Sequence, residues 1–552
     1  KLKKEVEKLK KENLDLKKKK KFGLVWEERE KEKNIDDEEY YPYLVKKGNA
    51  FGFDNNETNK NILIEGDNYH ALEILQYTHK EKIDVIYIDP PYNTGKKNEF
   101  KYGDSWIDKN SGYKHSYWLS FINKRLEIAK NLLSKDGLIL ISIDENEYAR
   151  LKLLCDDIFT SSNFIGSFVK KISGGKNDSK TIKVNHEYLL CYKRTEKATI
   201  HLNIEYTKKD ETRSLQKDGD NEERFNRENL WYPIYANINT KEISLEFKKD
   251  MIEIFPIKND GLERYWRWEY DTAIKRIDEL RLTKTKFDDG EIKYDIGVFT
   301  PKGTRKELPW NSFISDFSAG GGTQLKEVLE KKIPGMYPKN LDYIKWICNL
   351  SVKKNPIILD FFAGSGTTGQ ALEELKKDTS SHIENPKCIL ITNNESNICE
   401  DVCYQRIKKA NEKYNYNSNL EYLKTELLKY DSQKHSDLDI KEFMVDKLIE
   451  IIKVREACFK LDDINKFLLK FAHINKSVYV LQDIYKMKKN DYEEVVSILK
   501  DDEKDKINIY ILSMSNHEHY INKISKVHKN ITFEPLPESF LKMLRKIERK
   551  RR

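Results

Sequence analysis

The chain has 552 residues, a formal net charge of +8 and seven cysteines. That length leaves room for about three or four domains and a substantial core. No apolar run approaches the ~20 residues needed to cross a bilayer, and no stretch reads as a signal peptide. The scattered cysteines, with no C-x-x-C, read as reduced thiols of a cytoplasmic protein, and the lone histidines have no metal-ligand context, so no metal is expected. Charge concentrates at the ends, +7 over residues 1–21 and +6 over 542–552, which leaves the body between them at −5. Global charge therefore does not argue for a nucleic-acid partner, and any such face must be local.

In chain order, Leu2, Val6, Leu9, Asn13 and Leu16 recur at alternating spacings of 4 and 3. That is a short heptad seam suited to pairing helices, with a solvated lysine-rich helix as the alternative. From residue 61 strands and helices alternate. "NILIEGD" is a strand, residues 70–78 an amphipathic helix, and "KIDVIYID" a second strand. "WLSFINKRLEIAKNLLSKDG" reads as a long helix ending at Gly137, followed by the buried strand "LILISID". The alternation implies βαβ units and a parallel sheet. Near residue 166 the character changes to a basic loop, short strands and aromatic clusters, until "NPIILDFFAGSGTTGQALEELKKD" and "PKCILITNNE" resume the α/β pattern. One sheet interrupted by an inserted region at 166–330 is the expectation, with 22–165 and 331–410 as its two halves. Residues 411–552 read as helical, then as a small α/β appendage with strands "VYVL" and "IYIL".

Two motifs carry chemistry. In "LDFFAGSGTTG" a strand runs into Gly364, Gly366 and Gly369 and then a helix. Such a loop lets a ligand approach the backbone beside free helix N–H groups. The G-x-G-x-x-G spacing alone fits a dinucleotide fold equally, and Glu395, at the end of the next strand, could accept from ribose hydroxyls of either cofactor. Asp360 just before the loop would repel a pyrophosphate and welcome an amino group, which favours S-adenosylmethionine (AdoMet) over a dinucleotide. The other motif, "DPPY" (Asp89, Pro90, Pro91, Tyr92), closes an apolar strand. Pro-Pro stops the ladder and presents the Asp89 carboxylate and Tyr92 ring at the strand end, where open α/β sheets bind ligands.

"DPPY" placed before "FAGSGTTG" resembles the amino-group DNA methyltransferases whose catalytic motif precedes the cofactor motif. "NILIEGDNYHALEIL", "YIDPPYNTG", "SGGKNDSKTIKVNHEYLLCYKR" and "ERYWRWEYD" narrow this to a likeness, over about residues 22–411, with modification (Mod) subunits of type III restriction–modification systems. The resemblance implies a Rossmann-like AdoMet-dependent methyltransferase sheet in permuted motif order, with an inserted target-recognition domain, acting on double-stranded DNA. It implies catalytic roles for Asp89, Pro90, Pro91 and Tyr92, and cofactor contacts from Asp360, Phe362, Gly364, Ser365, Gly366, Thr367, Thr368 and Glu395. Asp67 in "EGDN" would contact the cofactor adenine, or simply make an Asx turn. Lys339 in "YPKN" would close the methionine pocket, although Asn340 stands where a Pro is usual.

An exocyclic amine is a poor nucleophile because its lone pair is delocalised into the ring. Asp89 and the Pro90 carbonyl could accept its two N–H groups and stabilise the positive charge that develops on methylation. Tyr92 would stack on a base taken out of the duplex. The argument serves cytosine N4 as well, and Asp before Pro-Pro-Tyr leans to adenine N6 by resemblance. Lys170, Lys171, Lys176 and Lys180 are the expected phosphate contacts. In "RYWRWEY" the alternating Trp266 and Trp268 read as core packing. The family implies a homodimer and, because no G-x-x-x-x-G-K-[ST] loop is present, a separate restriction subunit. The rivals are a stand-alone methyltransferase, a catalytically silent DNA-specificity module, and a nicotinamide-dependent oxidoreductase, for which no hydride-transfer partners are in evidence.

Overall fold

A computed structural model describes residues 40–47, 61–94, 113–172, 181–217, 227–257, 262–286, 292–317, 320–429, 437–458, 461–471, 475–482, 487–512, 518–527 and 530–536, with the single positions 24, 26 and 51. The heptad-like segment 1–21, the basic end 542–552, Lys176 and Lys180 lie outside the described residues. The chain divides into two compact units, Lys1–His201 with Asn311–Arg552, and Leu202–Trp310.

The first unit is built on a 10-stranded sheet. Its strands are β1 (Tyr40–Lys46), β2 (Asn61–Glu65), β3 (Ile83–Ile88), β4 (Leu133–Ile143), β5 (Phe164–Lys171), β6 (His186–Lys193), β7 (Phe313–Ile314), β8 (Ile357–Asp360), β9 (Lys387–Thr392) and β10 (Leu420–Lys429). They lie in the order β1-β10-β2-β9-β8-β3-β4-β6-β5-β7. From β10 to β4 neighbours run parallel, while β6 is antiparallel to both β4 and β5. The central strands are apolar at almost every position because helices cover both faces, which removes the alternation of a half-exposed sheet. Ile86, Ile88, Ile139, Ile141 and Leu359 are all fully buried. The unit's α-helices up to residue 456 are α1 (Asn68–Thr78), α2 (Lys114–Leu132), α3 (Tyr148–Phe159), α4 (Gly321–Leu329), α5 (Leu341–Cys348), α6 (Thr367–Lys377), α7 (Gln405–Tyr414) and α8 (Asp437–Glu456). α1 packs on α2, α2 on α3, and α5 on α6. No helix among the described residues is long and apolar enough to cross a membrane.

The register of β8 on β3 does the most for function. Ile358 pairs with Val85 and Leu359 with Ile86, so the ends of "YID" and "ILD" emerge side by side. Asp84 fixes that register by accepting from the Ile357 N–H at 2.9 Å.

Two boundaries differ from the sequence reading. The second compact unit is Leu202–Trp310, which lies inside the 166–330 expected for the insert. Residues before it form β5 and β6, which extend the sheet beyond β4, and residues after it supply β7 and α4. α2 ends at Leu132 rather than Gly137, because Leu133 already pairs with Ile83 and β4 begins there. A Cβ at Gly137 would lie 2.9 Å from the Ile83 carbonyl oxygen, so that glycine permits close strand approach in the irregular start of β4 and is not a helix cap.

The inserted unit holds small antiparallel sheets, among them Leu280–Lys286 with Ile292–Thr300 and Glu211–Ser214. Trp266 is fully buried among Leu215, Ile234 and Ile296 and donates to the Tyr232 carbonyl at 2.8 Å, while Trp268 is half-buried. Past α8, strands Ser477–Gln482 and Ile507–Leu512 pair in parallel around helix Lys489–Lys500, within a 5-stranded sheet with its own core. That sheet is tied back by Arg455 to Glu534 at 2.6 Å and by the Tyr77 hydroxyl donating to the Pro535 carbonyl at 2.7 Å.

Candidate active site

The two motifs, far apart in sequence, meet at the carboxyl ends of β3 and β8. Pro90 and Pro91 end β3, and the chain turns back at Asn93, whose φ of 58° is left-handed. Asn93 is held by the wholly buried Glu147, donating from Nδ2 to Oε1 at 2.6 Å, and His115 Nδ1 lies 2.5 Å from the same oxygen. The Trp118 indole N–H donates to the Pro91 carbonyl at 2.7 Å. The Pro91 oxygen is therefore engaged, whereas the Pro90 carbonyl takes no hydrogen bond among the described residues.

Asp89 sits in a compact charged cluster. Its Oδ1 accepts from the Tyr92 hydroxyl at 2.6 Å and lies 3.2 Å from Lys339 Nζ. Lys339 Nζ also donates to the Tyr92 oxygen at 2.6 Å and to Glu187 Oε2 at 2.7 Å. The other Glu187 oxygen accepts from Lys170 at 2.6 Å. Burial pushes the Asp89 carboxyl up, Lys339 pulls it back, and Glu187 adds to the rise. Burial also works against Glu187, but Lys339 and Lys170 outweigh it and hold that carboxyl down at about 2. Lys339 is held above its ordinary value despite burial, because Asp89 and Glu187 both face it.

On the β8 side Asp360 is 3% exposed. Its oxygens accept from the Phe362 N–H at 3.1 Å and the Thr368 hydroxyl at 2.6 Å. Burial pushes its carboxyl up to about 7, against those two hydrogen bonds and helped by the Asp89 charge. No cation among the described residues pairs with it. Gly364 and Gly366 have φ of 50° and 74°. A Cβ at Gly366 would stand 2.9 Å from Cys403 Sγ, whereas one at Gly364 would meet only the Phe362 carbonyl oxygen, at 3.7 Å. Gly366 and Gly369 are thus glycines for packing, and Gly364 alone of the three faces open space. Behind the loop the buried Arg406 donates to the hydroxyls of Ser365 at 3.2 Å and Thr367 at 2.5 Å and to Gln370 at 2.8 Å. Phe362 is buried against Phe121.

The remaining expected residues divide. Asp67 caps α1, accepting from the Tyr69 N–H at 2.7 Å, and pairs with Arg125 at 3.1 Å, so the Asx-turn alternative describes its geometry. Glu395 lies just past β9, exposed, in the short turn Glu395–Asn397. Lys339, expected at the methionine pocket, has its ammonium on Asp89, Tyr92 and Glu187. Asn340, standing where a Pro was expected, caps α5 by accepting from the Tyr343 N–H at 3.0 Å. Lys170, an expected phosphate contact, is 4% exposed and paired with Glu187 at 2.6 Å. Lys171, next to it on β5, is exposed. Sequence reasoning missed Glu187, Glu147, His115, Trp118 and Arg406. Among the described residues no cluster of His, Cys, Asp and Glu could hold a metal ion.

A parallel α/β sheet that sets Asp-Pro-Pro-Tyr beside a glycine loop under a buried carboxylate defines an amino-group DNA methylase. Residues 83–400 match the DNA methylase family model for N6 and N4 enzymes, and the chain belongs to that family. It is 35% identical over 325 residues to the type II methyltransferase M.KpnI of Klebsiella pneumoniae, covering 57% of this chain and 76% of that protein. The Mod subunit of the type III enzyme EcoPI from Escherichia phage P1 is 29% identical over 375 residues, covering 59% of this chain and 56% of that protein. The StyLTI Mod subunit of Salmonella typhimurium is 30% identical over 346 residues, covering 58% and 51%. The chain thus spans about half the length of these type III relatives. Among solved structures, PvuII DNA methyltransferase (cytosine-N4-specific) aligns with 66% of this chain and 95% of its own, at 11% identity and a TM-score of 0.34.

Proposed function

We propose that this chain is an AdoMet-dependent DNA adenine-N6 methyltransferase and the modification subunit of a type III restriction–modification system. The observation that carries the proposal is the placement of Asp89 and the Pro90 carbonyl at the end of β3, next to Asp360 and the glycine loop at the end of β8. The residues fit AdoMet: a buried carboxylate without a cation partner suits its ammonium, and the open side of Gly364 admits a ligand against the backbone. Asp360, Phe362, Gly364, Ser365, Thr367 and Thr368 would hold it, with Glu395 within reach of ribose hydroxyls. When bound, AdoMet supplies an electrophilic methyl group.

The chain's own residues act on the amine. Asp89 and the Pro90 carbonyl accept its two N–H groups, localise the lone pair and stabilise the charge that develops on nitrogen, electrostatic preorganisation of a kind commonly worth ~10²–10³ in rate per group. Pro91, its carbonyl held by Trp118, fixes the loop. Tyr92 stacks on the flipped base, which requires its hydroxyl to leave Asp89. Lys171, Lys176 and Lys180 contact phosphates, and the unit Leu202–Trp310 reads the target. The active form is a homodimer that works with a separate helicase–nuclease subunit. Methyl transfer from labelled AdoMet to unmethylated duplex DNA, read by nucleoside mass spectrometry, tests the reaction and the base. An adjacent reading frame for a helicase–nuclease tests the type III assignment. The likeness to M.KpnI, 35% identical over 76% of that protein, favours a second reading, a stand-alone type II methyltransferase without such a neighbour.

A further inference from the structure

The Asp89 cluster holds more charge than the reaction requires. Two carboxylates, Asp89 and Glu187, and two ammonium groups, Lys339 and Lys170, alternate along one chain of contacts at 3.2, 2.7 and 2.6 Å. They come from four separate elements, the end of β3, the start of β6, the residue before the Asn340 cap of α5, and the end of β5. Lys170 is braced further by the Tyr343 ring, 4.5 Å from its Nζ. Both protein contacts to Asp89 fall on Oδ1, from Tyr92 and from Lys339, and among the described residues none falls on Oδ2. The carboxylate is therefore turned, with one oxygen anchored and the other presented.

We infer that Glu187 is a positioning residue for methyl transfer: it holds Lys339 on the Oδ1 side of Asp89, which presents Oδ2 to the amine, and neutralises the lysine charge beside the reaction. This rests on the proposed methyltransferase reading. An ammonium so close to Asp89 has two opposed effects. It keeps the carboxylate ionised, which the reaction needs, and it repels the positive charge that grows on the amine nitrogen. Glu187, 2.7 Å from the same ammonium, offsets the repulsion without removing the anchor. It can also take the whole of Lys339 when Tyr92 swings onto the base, because its second oxygen is already fixed by Lys170. Besides Asp89 and Glu187, no carboxylate among the described residues touches Lys339.

The inference is tested by pH profiles of kcat/KM for DNA methylation by the full chain, for wild type, Glu187→Gln and Lys339→Met. The groups facing Asp89 are Tyr92 on its own loop, Tyr87 on β3, Glu187 on β6, Lys339 before α5, Tyr343 on α5 and Asp360 on β8. Removing the like charge of Glu187 lowers the pH at which Asp89 ionises, and removing Lys339 raises it. The acid limb is expected to move down in Glu187→Gln and up in Lys339→Met. Each variant should lose about 10- to 100-fold in kcat, the cost of a misplaced reacting group, with unchanged affinity for S-adenosylhomocysteine measured by calorimetry. Limbs that stay put or move the same way, with an active wild type, would leave only a structural role and overturn the inference. Should Glu187→Gln not fold, Lys339→Met decides alone: an acid limb that does not rise overturns it. A wild type that methylates no base overturns the functional reading and the inference together, so the two failures are distinct.

Discussion

Adding a methyl group at Gly366 and at Gly364 should have different consequences, although the two glycines are two residues apart. Both have left-handed φ, 74° and 50°, so alanine at either carries about 1–2 kcal/mol of backbone strain. At Gly366 the new Cβ would also lie 2.9 Å from Cys403 Sγ and 3.2 Å from the Cys403 carbonyl oxygen. Cys403 is fully buried in the turn Ile398–Tyr404, and its backbone cannot retreat without moving α7. Overpacking of that kind costs a further ~1–3 kcal/mol, so Gly366→Ala is expected to destabilise by about 2–5 kcal/mol in all. At Gly364 the nearest atom is 3.7 Å away, which adds no clash. Thermal melts with and without S-adenosylhomocysteine separate the two. Gly366→Ala should melt clearly lower than wild type in both conditions. Without ligand, Gly364→Ala should melt below wild type by only the ~1–2 kcal/mol of backbone strain, and it should lose much of the ligand-induced rise, because its Cβ stands in the space proposed for the cofactor. Equal destabilisation by the two variants, or full ligand stabilisation of Gly364→Ala, would refute this account of the loop.

Trp118→Phe removes the donor to the Pro91 carbonyl and keeps most of the buried ring. It should cost about 1 kcal/mol of stability and lower kcat more than it raises KM for DNA, as steady-state kinetics would show. Asp360 sets a pH dependence. Its carboxyl is raised from 3.8 to about 7, so the stability that its neutral form contributes is complete below 3.8 and is lost as pH rises through about 7. An ammonium ligand favours the ionised form, so S-adenosylhomocysteine affinity should rise between about pH 6 and 8 with proton release, measurable by calorimetry in buffers of different ionisation enthalpy. Asp360→Asn should abolish that dependence.

The sheet was legible wherever a strand is buried on both faces. β3, β4 and β8 are runs of Ile, Val and Leu, and such runs announce themselves without periodicity. The junction of α2 and β4 was not legible, because "NLLSKDG" continues the helical pattern and only the pairing of Leu133 with Ile83 ends it. The start of the second compact unit was not legible for a similar reason: β5 carries exposed Lys171 beside buried Lys170 and reads as basic loop. Parity held the missing signal. Lys170 shares a face with buried Phe168, and Glu187 shares one with buried Leu189 and Cys191. A charged residue in phase with the apolar positions of a strand points inward, and two of opposite sign on paired strands point to each other. The nearness of Asp89 to Asp360 depends on strand order, which local sequence does not encode; it was reached through the resemblance. Lys339 could be placed only by the fold, since its partners lie on other elements far away in sequence.

The most direct measurement is nucleoside mass spectrometry of unmethylated duplex DNA incubated with labelled AdoMet and either wild type or Asp89→Ala. The expected result is labelled N6-methyladenine from wild type, none from Asp89→Ala, and S-adenosylhomocysteine binding retained by both. Labelled N4-methylcytosine would overturn the choice of base. An Asp89→Ala enzyme that still transfers methyl at the wild-type rate, or a wild type that binds cofactor and DNA yet transfers none, would contradict the account.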